Sequence, residues 1–301
     1  MERLVQAVPR PDYPFHLTAW RCMMSPMEVT LAAEKLYVLE ERLTVDEVTQ
    51  RAMDRRTGAL GSLLSKPKPE EVTLLNRQRR LEPFWHVAGH ATYVYERNRD
   101  YNVPASAADV EAITLGGQRY EGAPGKDKTF KVPVREHCKA EFRSENFVNG
   151  LTGQPVPEGA QLITGPRSEV TDPATIGTED TIVVPPEHRA SYVVRQLMSE
   201  ITKPLQADQV MEESVTLEAT ELFYRPIWAF EFAWTAKGKQ AIVEVDSVTG
   251  QIAAGKALMG QMKAMMNRDL LFDIGADTVG LIVPGGSIAV KLAKAAMDQR
   301  K

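Results

Sequence analysis

The tripeptide Pro83-Phe84-Trp85 heads an alternating apolar run, and Pro226-Ile227-Trp228 heads another, 226 − 83 = 143 residues further on. Each is preceded by a stretch with helical spacing and then by one that can extend, so one order of elements occurs twice. A chain with this pattern is expected to fold as α+β: two related units, each a helix packed on a short antiparallel sheet, followed by a helical apolar C-terminal tail. With 301 residues, 43% of them hydrophobic, there is enough material for two cores of ordinary size.

Local signals place the units. Ser25-Pro26-Met27-Glu28 has a capping serine, proline at the first helical position and an acid at the third, which predicts a helix, with Val29, Ala32, Ala33, Leu36 and Leu43 recurring at helical spacing. Thr44-Val45-Asp46-Glu47 repeats the capping signature and predicts a second helix running toward Arg56. Strands are expected over 72–81, over 84–95 after a restart at Pro83, and over 110–115 and 130–134, giving a meander for the first unit, 1–148. Glycine, proline, threonine and aspartate crowd 149–186, which reads as a connecting segment. The second unit, 187–253, opens with a helix bearing Val194, Leu197, Met198 and Ile201 and continues in strands over 215–223, 228–234 and 240–245. In 228–234 the aromatic residues Trp228, Phe230, Phe232 and Trp234 alternate with Ala229, Glu231 and Ala233, the period of a half-buried strand. Trp85 and Trp228 are expected to centre the two cores.

The last strand, Val243-Glu244-Val245-Asp246, with its turn at Thr249-Gly250, resembles the end of a PepSY or cystatin-like unit once the helix and meander before it are counted. The two Pro-x-Trp openings also resemble the Pro-aromatic-Trp repeats of bacterial proteins that carry a zinc ribbon ahead of such units. This chain has only Cys22 and Cys138, so no zinc ribbon carries over. The resemblance implies a binding, inhibitory or scaffolding module, and no catalytic residue transfers with it.

Motifs that would declare an enzyme are missing from the chain: it has no nucleophile elbow, phosphate loop or glycine-rich cofactor fingerprint. His86 and His90 have a spacing that suits zinc on a helix, but on a strand they lie about 13 Å apart, too far to share one ion. His137-Cys138 is a poor chelate because neighbours on a strand point to opposite faces. The arginines Arg77, Arg79, Arg80, Arg97 and Arg99 interleave with aromatics, yet Glu70, Glu71, Glu82 and Glu96 share the stretch and the net charge is −4, so nucleic acid is not an expected partner. No metal or cofactor is expected. The N-terminus has no apolar core behind a basic start, and two distant cysteines read as reduced thiols, so the chain is expected in the cytoplasm.

The tail, 254–301, carries the interaction reading. Met259, Met262, Met265 and Met266 form an adaptable thioether face on an expected helix. Leu281, Ile282 and Val283 belong to an apolar run too short to cross a bilayer of ~30 Å. A helix from Ser287, with Ile288 on its apolar side and Lys291 and Lys294 on another, suits an anionic membrane surface. The leading expectation is a non-enzymatic scaffold or interaction protein that self-associates, binds a protein partner, or sits peripherally on the inner face of a membrane through this tail. The rival is a ligand-binding or metal-dependent enzyme using the sheet face around His86, His90 and Glu231.

Overall fold

The computed structural model describes residues 27–62, 65–122, 128–177, 180–255 and 271–274, with the backbone of 288–292. In chain order its elements are β1 (Met27–Leu31), β2 (Glu34–Leu39), α1 (Val45–Leu60), β3 (Val72–Pro104), β4 (Ala112–Leu115), β5 (Gln118–Glu121), β6 (Thr129–Asn149), α2 (Gly159–Leu162), β7 (Arg167–Glu169), β8 (Thr181–Val183), α3 (Ala190–Ile201), β9 (Gln209–Trp234), β10 (Lys239–Asp246), β11 (Ile252–Ala254) and β12 (Ile288–Leu292). Among the described residues ten strands join in one mixed sheet, and β4 and β5 form a separate hairpin. Two helix-on-small-sheet units are therefore not what forms. Among the described residues, the two helices of more than one turn, α1 and α3, lie on a single sheet whose spine is the antiparallel pair β3 and β9, paired from Val72↔Trp234 to Glu96↔Gln209.

Two long strands replace four short ones because the prolines do not interrupt them. β3 spans 33 residues through Pro83, and β9 spans 26 through Pro226. The Pro83 carbonyl accepts from Gly150 N–H and the Pro226 carbonyl from Ser247 N–H, so both prolines turn their backbone away from the central ladder. On that outer side β3 changes neighbour from β8, which ends at Leu81, to β6, which begins at Phe84. β9 likewise passes from β2, ending at Tyr224, to β10, beginning at Ile227. Each missing N–H thus falls in the gap between two neighbours, where no ladder bond is lost.

The same register relates the two strands to each other. Glu82 pairs with Arg225, and 225 − 82 = 143, the separation of the two prolines. A local two-fold axis through that pair superimposes the Pro83 region of β3 on the Pro226 region of β9. Moving α1 by 143 gives 188–203, which brackets α3. The turns closing the outer strands are also built alike: Asn149 Oδ1 accepts from the N–H groups of Leu151 and Thr152, and Asp246 Oδ1 from those of Val248 and Thr249. Gly153 and Gly250 complete them at φ +69° and +77°, a region glycine enters without strain. Between the turns the offset is 246 − 149 = 97, because the β3–β6 hairpin with its β4–β5 insertion is 143 − 97 = 46 residues longer than the β9–β10 hairpin.

Several expected elements are corrected. The helix foreseen after Ser25 is β1 and β2. Met27, Val29 and Leu31 alternate into the core, and β-branched Val29 and Thr30 pair with Val215 and Thr216 of β9, so the sheet overrides the capping signature. The connecting segment contributes β7 on β2 and β8 on β3, and it buries Val156 and Leu162. In the tail, Ile288 and Lys291 lie on β12, a strand parallel to β1, where a helix was expected. Met259, Met262, Met265, Met266, Leu281, Ile282, Val283 and Lys294 lie outside the described residues.

α1 starts where its sequence foretells, since Thr44 and Glu47 cap each other's backbone N–H groups. Its Val48 and Ala52 cover Phe230, Phe232 and Trp234, and α3 covers Trp85, Leu222 and Tyr224 from the same side of β9. Trp85 is fully buried, whereas Trp228 is only partly so. A third cluster lies on the opposite face, where Phe223 stacks between Tyr37 and Phe84 at centroid distances of 5.0 and 5.2 Å.

Candidate functional site

The face of the sheet away from α1 and α3 holds the histidines. His86 stands between Glu221, its partner on β9, and Phe147, its partner on β6. Its Nδ1 lies 2.8 Å from Glu221 Oε2 and its Nε2 2.8 Å from Glu145 Oε1, while the ring stacks on Phe147 at 4.8 Å. Protonated on both nitrogens, the ring donates to both carboxylates at once. Burial disfavours that charged form, but the two hydrogen bonds and the two negative charges outweigh it, and the pKa rises above 6.5. With both nitrogens facing carboxylates of neighbouring strands, His86 fastens three strands together.

His90 is bound separately. Its Nδ1 lies 2.7 Å from Glu218 Oε1, which also accepts from Arg143 at 3.0 Å. Glu218 is the extra residue of a bulge, because Ala88 pairs with Ala219 while Gly89 pairs with Leu217. The bulge needs Gly89: a Cβ there would sit 2.6 Å from the Thr216 carbonyl oxygen. His137 is 75% exposed and contacts Glu96 at 3.0 Å. Glu231, opposite Asn76, is ten residues along β9 from Glu221 and so about 33 Å away. The expected trio of His86, His90 and Glu231 is thus not assembled. Among the described residues no group of three or more His, Cys, Asp or Glu side chains could hold a metal ion, and no helix is long and apolar enough to cross a membrane.

A different feature stands out beyond Glu96, where β9 ends its pairing. There β3 and β6 continue as a two-stranded ribbon over 97–104 and 129–136. Arg97 pairs with Glu136, and Tyr101 Oη donates to the same carboxylate at 2.7 Å. The Arg97 guanidinium, and next the Tyr101 hydroxyl, hold the Glu136 carboxyl below the usual glutamate value. Phe130 and Val132 are buried in the ribbon, while Tyr101, Val103 and, on β4, Leu115 are 50%, 37% and 58% exposed. Along the outward face of β6 runs a charged row, Lys131, Arg135, His137, Lys139, Glu141, Arg143 and Glu145, every second residue being exposed.

Sequence reasoning singled out His86 and His90 but missed Glu145, Glu218 and Glu221, which partner them, and Arg143, which pairs with Glu218. The signal for β6 was there: from Lys131 to Glu145 charged and apolar or small residues alternate almost without break, at the period of a strand. Comparison with family models, with curated proteins and with solved structures finds no match to this chain.

Proposed function

We propose that the protein is a non-enzymatic scaffold that works by association, with copies of itself as its first partner. The observation that carries this reading is the β3–β6 ribbon, which runs past the sheet, exposes Tyr101 and Val103, and has a 21-residue strand paired on one side only along most of its length among the described residues. Exposed strand edges are ready templates for another chain. Support also comes from the histidines, whose polar atoms are spent on carboxylates of neighbouring strands. The return of the tail to the sheet as β12 turns the weight from lipid attachment toward protein contact.

Sedimentation velocity of the full chain across a concentration series tests the reading. A mass rising from one chain toward two between about 1 and 100 μM is expected, the range of transient self-association. A single-chain mass throughout would remove self-association.

A further inference from the structure

We propose that the outer edge of β6 is a dimerisation edge, pairing antiparallel with β6 of a second copy about a two-fold axis at Cys138. This rests on the scaffold reading and names the surface it uses. β3 occupies one side of β6 from Thr129 to Asn149 without a register break. On the other side, among the described residues, only the ends are taken, by Gly122 at Phe130 and Pro155 at Val148. Phe147 O accepts from Val156 N–H and Asn149 N–H donates to Gln154 O, so the odd-numbered residues of β6 aim their backbone groups outward. Pro133 is odd-numbered and therefore leaves its missing donor on the edge, not in the ladder to β3.

An added antiparallel strand must set odd residues against odd. Centred on Cys138, the pairing places Arg135 against Glu141, since 135 + 141 = 2 × 138, while Lys131 lies beside the Gly122 bridge and outside the paired stretch. Two-fold symmetry makes this ion pair twice. A shift of the axis by one residue sets Arg135 against Lys139 or Arg143 instead, which is repulsive. Arg135 and Glu141 are 63% and 40% exposed, so they are within reach of a partner. Pro133 faces Arg143 in this register, and His137, 75% exposed, faces Lys139 with room to turn into solvent. Charges along an edge discourage indiscriminate pairing. With Arg135 in the first half and Glu141 at the matching place in the second, the edge admits a strand of the same sequence running the other way.

The test compares dimerisation of the natural chain, Arg135→Glu, Glu141→Arg and the double exchange by sedimentation, after circular dichroism has shown each to be folded. Each single reversal is expected to weaken the dimer about tenfold. The double exchange is expected to restore it, because opposite charges then face each other again at both places. As a second readout, the Cys22→Ser chain is treated with copper-phenanthroline. The two Cys138 residues form a non-hydrogen-bonded pair with Cα atoms about 4.5 Å apart, within disulfide reach, so a covalent dimer is expected. A dimer indifferent to both reversals, a double exchange no stronger than the singles, or no Cys138 cross-link overturns this edge and leaves self-association standing. A single-chain mass at every concentration removes both, and the edge then belongs to another segment of the same chain or to a foreign strand.

Discussion

At the scale of single residues, His86 couples the sheet to pH. Its folded-state pKa lies above 6.5, so the native protein holds the proton more tightly than the unfolded chain does. The resulting stabilisation is complete below about pH 6.5 and is lost as pH climbs through the raised folded-state value. Denaturant melts of the natural chain should show that loss, and melts of His86→Gln should not; parallel curves for the two proteins would contradict the pairing with Glu145 and Glu221. Gly89→Ala should cost about 1–3 kcal/mol, because the atom that blocks the new methyl group is a backbone carbonyl that cannot turn aside. Chemical denaturation checks it, and an unchanged midpoint would mean the bulge can open. Trp85→Ala should cost about 3–5 kcal/mol, as for a large aromatic fully buried in a core. Trp228→Ala should cost less, since Trp228 is only partly buried, with its indole N–H donating to Glu41 at 2.9 Å. The reverse order of the two losses would place the main core elsewhere.

At the scale of elements, sequence pattern served well where local chemistry decides and poorly where pairing decides. The Thr44 to Glu47 capping box and the apolar face of α3 are local, and both helices form where those residues place them. Ser25 to Glu28 carries the same kind of signature, yet the sheet takes the segment because Val29 and Thr30 find neighbours on β9 that are more than 180 residues away in sequence (215 − 29 = 186). Pro83 and Pro226 read as breaks because proline cannot donate. Whether a donor is needed at a position depends on which strand lies beside it, and the sequence of one strand does not contain that information. For the same reason His86 was legible as a candidate while its two carboxylates, 59 and 135 residues away, were not. The tail belongs to this scale as well. Phe272 packs edge-on against Trp85 at 5.4 Å, and Asp273 accepts from the backbone and the hydroxyl of Ser191. Truncation after Arg268 should therefore lower the thermal midpoint, and an unaltered melt would show the tail to be dispensable to the fold.

At the scale of the whole molecule, one sheet organised about β3 and β9 leaves β6 as its longest one-sided strand among the described residues, and association through that strand is the central claim. Hydrogen exchange of individual amides in the full chain tests it most directly. The N–H groups of Arg135, His137, Lys139 and Glu141 point outward, whereas those of Glu136, Cys138 and Ala140 are held by β3. In dilute protein the outward set should exchange fast and the inward set slowly; as concentration rises into the range where mass increases, the outward set should slow selectively. Outward amides that exchange at the same rate at every concentration would contradict pairing of β6 with a second copy.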